Sequence, residues 1–349
     1  MNIKFEFVPV FFIAGSGKYE WWTGKSGIKH NCGMISAGDG TFGIASKKSF
    51  SKPPGGFKLY ADSGGFQLCR GGYLLPEGVA EWQDEVQADV KFILDNPTRK
   101  RTEANANSAT NVSTDVDYNN CLNDTVDFTK RMLPKYKSLD GVFGVLHGVK
   151  FAEIEKWRDS LLKIHDFKGW GIGIPSVKER NEDKIWYKLK CLGEVGIKRI
   201  HLFGFTDLPY LIQIALYLKR YGIEYCSFDS TRFIATRFSD IYYPLYENIA
   251  SWFGRDEGRK DLRMICDCPV CKELKPNVLL DEGGETNYVN FHYIMSMHNI
   301  SHIQRFADTV AELSKYEDLL YRVADKYDLK LVKDYDFEND GMSLMDWGK

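Results

Sequence analysis

A chain of 349 residues, 44% hydrophobic and 27% charged, can bury a large core as one barrel or as two ordinary domains. Its formal charge of -2 provides no global basic field, so a nucleic-acid partner has to be held by a local patch. No apolar stretch approaches the roughly 20 residues of a membrane span, which excludes a helical membrane protein and points to the cytosol.

The N-terminal FEFVPVFFIAG is interrupted by Glu6 and lacks the cationic segment and cleavage site of a signal peptide; a buried strand is expected there. GSGK at residues 15–18 is no phosphate loop, because the first glycine of that motif would fall at Phe12. Short apolar runs, each closed by Gly, Asp, Ser or Pro, recur down the first 230 residues: FVPVFFIAG, CGMISAGD, KLYADSGG, VKFILDNP, GVFGVLHG, GWGIGIPS, RIHLFGF and EYCSFDS. Amphipathic stretches separate most of them, among them PEGVAEWQDEV, VDFTKRMLPKY, FAEIEKWRDSLLKI and LPYLIQIALYLKRY. Continuous rather than alternating hydrophobicity in strands separated by helices predicts a parallel sheet covered on both faces. Eight such units predict a (β/α)8 TIM barrel over residues 1–253, with an open doubly wound sheet as the alternative.

Asp62 closes the third run, Asp95 the fourth and Asp229 the eighth. A single strand-end aspartate is commonly a turn or helix-cap residue, but in a barrel these three converge on the functional rim. Residues 98–120 are polar, turn-rich and open on Arg99, Lys100 and Arg101. They are too long for an ordinary connection and are expected to be a disordered insertion or a flexible lid.

After the eighth run, CDCPVC carries Cys266, Cys268 and Cys271. With His298 on a following helical stretch they make three thiolates and an imidazole, which fill a tetrahedral zinc shell and leave no position for water. A structural Zn2+ is therefore expected in a subdomain over residues 254–300, with His292 and His302 near enough to compete for the fourth place. Cys32, Cys69, Cys121, Cys191 and Cys226 are scattered singly, which suits a reducing compartment. An amphipathic stretch from FHYIMSM to VADKY supplies a closing helix over 301–328, and an acidic tail follows over 329–349.

ADSGGFQ, with Asp62, Ser63, Gly64, Gly65, Phe66 and Gln67, the late FDS with Asp229, and Cys266, Cys268, Cys271 followed by His298 and Asn299 together resemble the tRNA-guanine transglycosylase superfamily. That family is built on (β/α)8 barrels with a zinc subdomain inserted near the end, and the resemblance spans roughly residues 5–325. It implies that Asp229 is the nucleophile at C1′ of the target nucleoside and that Asp62 is the general acid/base. Asp95 would read the donor edge of the base, and Ser63, Gly64, Gly65, Phe66, His147, Gly148 and the backbone around Gly173 and Ile174 would complete the pocket. A homodimer is a further implication. The chemistry is coherent on its own terms: exchanging one base for another at an anomeric carbon takes two displacements, so one carboxylate attacks and another carries a proton. The glycine pair lets a planar base approach the backbone, with Phe66 near enough to pack on it.

Three segments depart from the tRNA enzymes. GVLHGV places His147 where those enzymes carry glutamine, GIGIPS replaces their Gly-Leu with a following Val-Gly-Glu, and STRF follows Asp229 directly. The pattern is similar to the DNA-guanine transglycosylase branch of phages and bacteria, which inserts a 7-deazaguanine such as preQ0 into DNA. That resemblance implies bacterial or phage-infected cytosol, with tRNA as the alternative substrate and a non-catalytic nucleic-acid-binding subunit as the alternative role. The guanine has to leave the base stack, and a partner protein that opens the duplex is a further implication. Arg232, Arg237, Arg255, Arg259, Lys260 and Arg263, interleaved with Tyr242, Tyr243, Trp252 and Phe253, are the expected phosphate contacts.

Overall fold

The computed structural model describes residues 5–13, 30–38, 52, 55–68, 73–102, 105–111, 115–148, 150–173, 182–205, 210–230, 241–242, 251–252, 268–269, 272 and 285–326. All eight apolar runs form strands of one closed parallel barrel. In chain order they are β1 (Glu6–Phe12), β2 (Cys32–Ser36), β3 (Lys58–Asp62) and β4 (Val90–Phe92), followed by a hairpin of β5 (Arg99–Thr102) and β6 (Asn105–Asn111). The barrel resumes with β7 (Val142–Leu146), β8 (Trp170–Gly173), β9 (Arg199–Phe203) and β10 (Tyr225–Asp229). Pairing of β10 with β1, in register from Glu6 opposite Tyr225 to Val10 opposite Asp229, closes the ring. Closure rules out the open doubly wound sheet.

Helices cover the outside. The described ones are α1 (Gly65–Leu68), α2 (Pro76–Glu85), α3 (Asp115–Met132), α4 (Phe151–Leu162), α5 (Glu182–Glu194), α6 (Tyr210–Arg220), α7 (Glu285–Leu313) and α8 (Glu317–Lys326). Proline at the first position of α2 sets φ where no intrahelical N–H is needed, and its buried Val79, Ala80 and Trp82 face the sheet. α3 begins earlier than the apolar spacing suggests, because Tyr118, Cys121, Leu122, Thr125 and Thr129 extend its buried stripe through a polar-looking segment. α7 packs on β1 and α6 and runs unbroken through residue 300. The stretch expected as one closing helix breaks at residues 314–316, where Ser314 Oγ donates to the Ala311 carbonyl at 2.6 Å. Short antiparallel strands β11 (Ile241–Tyr242) and β12 (Ser251–Trp252) pair with each other.

Two expectations change. Residues 99–102 and 105–111 pair as antiparallel strands with a register shift after Arg101, not as a structureless insertion. Nor is hydrophobicity uniform along the strands. Lys58 Nζ donates to Tyr225 Oη at 3.2 Å, although β3 and β10 are separated in the ring by β1 and β2; the two side chains can meet only across the barrel interior. Lys58, Tyr60 and Asp62 therefore point inward on β3, and Tyr225, Ser227 and Asp229 on β10, as period-two alternation requires. Among the described residues no helix is long and apolar enough to cross a membrane.

Candidate active site

The C-terminal rim is assembled from strand ends. Asp62 is the last residue of β3 and sits opposite Ser36, the last of β2. Ser36 Oγ donates to Asp62 Oδ2 at 2.7 Å, and a backbone N–H at Gly64 donates to the same carboxyl. Protein encloses this carboxyl, while the residue as a whole is half-buried. Burial pushes Asp62 up to about 7 against those two hydrogen bonds, and the charges of Asp95 and Asp229 push it in the same direction. That electrostatic influence brings the three carboxylates into one neighbourhood.

Asp95 lies three residues beyond β4, on a loop pinned where Asn96 N–H donates to Thr125 Oγ1 at 3.0 Å. Beneath it, buried Gln83 of α2 donates from Nε2 to the carbonyls of Ala61 and Phe92, both at 2.9 Å, so one side chain ties β3 to β4 just below the two acids. Asp95 Oδ2 lies 2.6 Å from His147 Nε2, and Ser63 Oγ donates to Asp95 Oδ1 at 3.4 Å. The His147 ring stands edge-on to Trp157, with centroids 5.0 Å apart, and Trp157 Nε1 donates to the Val145 carbonyl at 2.8 Å. Gly65 approaches so closely that a Cβ there would lie 2.3 Å from Asp95 Oδ1 and 2.7 Å from its carbonyl oxygen. Gly64 has φ +79° and would press a Cβ to 2.7 Å from Gly38 N, so neither glycine accepts a side chain. Gly148, at φ +119°, takes the chain from β7 into α4. A Cβ on Gly173 would meet His147 at 3.7 Å, an ordinary contact. Phe66 is 39% exposed.

Asp229 ends β10 and is only 4% exposed. Its Oδ1 lies 3.0 Å from His201 Nε2 and accepts from Gly204 N–H at 3.3 Å. Among the described residues Oδ2 has no hydrogen-bond partner. Beneath this carboxylate, Phe92 and Phe203 pack edge-on at 4.7 Å and flank the His201 ring. Two aromatic rings thus hold the imidazole, whose Nδ1 lies 2.9 Å from Ser227 Oγ.

The structure therefore gathers Ser63, Gly65, Asp95 and His147 into one hydrogen-bonded and close-packed group, while Asp62, bonded to Ser36, and Asp229, bonded to His201, end their own strands at the same rim near enough for their charges to interact. Ile174, the basic set Arg232, Arg237, Arg255, Arg259, Lys260 and Arg263, and Cys266 and Cys271 lie outside the described residues. Sequence reading passed over Ser36, Gln83 and His201, yet a signal exists: in KLYAD, RIHLF and YCSFD polar residues recur at every second position and mark the inward face.

A second cluster lies toward the C-terminus. Cys268, His298 and His302 are buried, and their ligand atoms all lie within 4.8 Å of one another; Cys268 Sγ is 3.5 Å from His298 Nδ1. His298 and His302 are four residues apart on α7 and so share a face, with ring centroids 4.1 Å apart. A soft thiolate and two imidazoles, all desolvated, fit a transition-metal ion such as zinc, and the group could hold one. His302 thus joins His298 instead of competing with it. No protein-family model matches the chain, and no curated protein matches it.

Proposed function

We propose that this protein is a transglycosylase that exchanges guanine in DNA for a 7-deazaguanine base through a covalent aspartyl intermediate. The observation that carries the reading is the pair of unlike acids at one barrel mouth: Asp229 tethered at Oδ1, and Asp62 held near neutrality with its pKa at about 7. In the first displacement Asp229 Oδ2 bonds to C1′ as the bond from C1′ to the guanine nitrogen breaks, and Asp62 delivers its proton to the departing base. In the second, the incoming deazaguanine surrenders its ring N–H proton to Asp62, its nitrogen bonds to C1′, and the aspartyl ester breaks. A group that gives and then takes a proton works best with a pKa near the working pH.

Asp95, braced by His147 and Ser63, offers carboxylate oxygens to the N–H edge of a guanine-like base, and Gly65 lets the backbone close on Asp95 and hold it in place. Cys268, His298 and His302, with one thiolate of the same segment, from Cys266 or Cys271, as the fourth ligand, would hold a structural Zn2+; it would supply no step at the base. DNA is favoured over tRNA because His147, GIGIPS and STRF replace features of the tRNA enzymes.

Incubation with duplex or single-stranded DNA plus preQ0, in parallel with tRNA plus preQ0, followed by nucleoside analysis, tests substrate choice. Deazaguanine in the DNA digest is expected. Incorporation confined to tRNA would transfer the assignment to the tRNA enzymes, and incorporation into neither would leave the binding-subunit reading.

A further inference from the structure

A hydrogen-bonded chain crosses the barrel interior from one face to the other. At the N-terminal face Lys58 Nζ donates to Tyr225 Oη at 3.2 Å. Tyr225 and Tyr60 share a short hydroxyl–hydroxyl bond, Tyr60 is bonded to Ser227, and Ser227 Oγ lies 2.9 Å from His201 Nδ1. His201 Nε2 then meets Asp229 Oδ1. Barrel interiors are normally filled with branched apolar side chains, and unsatisfied polar groups there are costly, so a connected chain of six polar residues requires an explanation.

Its polarity is fixed at the two ends. An ammonium group only donates, so Tyr225 accepts from Lys58, and either hydroxyl of the Tyr225–Tyr60 pair can be the donor. Burial raises both phenols, so each keeps its proton. At the other end a carboxylate only accepts, so His201 Nε2 donates to Asp229 Oδ1 and Nδ1 accepts from Ser227 Oγ, which at 2.9 Å is closer than the Ile200 carbonyl at 3.3 Å. With Nδ1 accepting, the imidazole proton resides on Nε2 and faces the carboxylate, which accepts.

We propose that His201 is a positioning residue for Asp229: presenting Nε2–H, it ties down Oδ1 and leaves Oδ2 as the oxygen that attacks C1′. The assignment rests on the reading of Asp229 as the nucleophile. Phe92 and Phe203, with centroids 5.0 and 4.6 Å from the imidazole, hold the ring so that the donor cannot swing away. Fixing a reacting carboxylate in this way is a preorganisation effect, and loss of such outer contacts typically lowers activity by roughly 10–100-fold.

The test combines a spectroscopic and a kinetic readout on the full chain. With imidazole-15N-labelled histidine, two-bond 1H–15N correlation spectra report the tautomer, the His201 signals being assigned by their loss in His201→Gln. An Nε2–H tautomer is expected; an Nδ1–H tautomer overturns the proposal. Exchange of radiolabelled guanine into DNA is then compared in His201→Gln, which retains an N–H donor, His201→Leu, which does not, and Ser227→Ala. Expected are near-wild-type turnover for Gln, a roughly 10–100-fold lower kcat with little change in KM for Leu, and a several-fold lower kcat for Ala. A His201→Leu or Ser227→Ala protein with unaltered kcat, or equal losses in Gln and Leu, would overturn it. If the wild-type chain exchanges no base, the transglycosylase reading fails, while the tautomer still decides the contact between His201 and Asp229.

Discussion

Asp62 and His30 carry opposite pH signatures, and both can be measured. Burial raises Asp62 from 3.8 to about 7, so between those values the native state binds more protons than the unfolded chain. Stability then falls as pH rises, by about 4 kcal/mol in total. Burial lowers His30 from 6.5 to about 4 against its hydrogen bond to Gln304 of α7. In that window the unfolded chain binds more protons, and stability rises with pH by about 3 kcal/mol. The two trends nearly cancel in the wild type. In Asp62→Asn the His30 trend should stand alone: denaturant unfolding is expected to show more stability than wild type at pH 8, no difference near pH 4, and a steep rise between. Equal stability of the variant and the wild type at pH 8 would mean that Asp62 is ionised without penalty. Asp62 should also divide the reaction. Below pH 6 it is protonated and the first displacement proceeds while the second stalls, so the covalent adduct should accumulate; above pH 8 the adduct should form slowly. Gel quantitation of the denatured adduct across pH reports this, and an adduct yield that rises with pH contradicts the role of Asp62.

The loop from Asp62 through α1 to Asp95 depends on backbone contact that only glycine permits. Gly65→Ala places a methyl group 2.3 Å from Asp95 Oδ1, so Asp95 has to leave its position between His147 and Ser63. The expected result is a fall in base exchange of 100-fold or more, with stability lowered by only about 1–3 kcal/mol; full activity would show that Asp95 does not hold the base. α7 contributes both a histidine face that could hold a metal ion and a covering for β1. Metal analysis should find about one zinc per chain, and a strong chelator should lower Tm. Paired His298→Ala and His302→Ala proteins should each lose metal, whereas retention by His302→Ala would restore His298 as the single imidazole ligand. Much of this layer was legible in advance: eight apolar runs became eight strands, and Asp62 and Asp229 ended theirs. The polar lining left only an alternation within KLYAD and YCSFD, and which of its residues meet becomes visible only when closure sets β3 opposite β10 and brings Lys58 to Tyr225. Gln83 was hidden for a similar reason, since an amide in an amphipathic helix shows its two strand carbonyls only after folding.

A closed barrel gathers acids from strands far apart in sequence, residues 62, 95 and 229, at a single opening, which an open sheet would spread along an edge. With a net charge of -2 the molecule as a unit does not attract nucleic acid. Binding should therefore depend on a local basic surface and weaken steeply with salt; a salt-independent affinity for DNA would point to a different partner. What the fold cannot disguise is covalency. Single-stranded DNA incubated with the protein in the absence of acceptor base, then denatured, digested and analysed by mass spectrometry, should show deoxyribose-linked DNA on the peptide containing Asp229, and none in Asp229→Asn. An adduct on Asp62 instead, or guanine exchange that persists in Asp229→Asn, would contradict the mechanism.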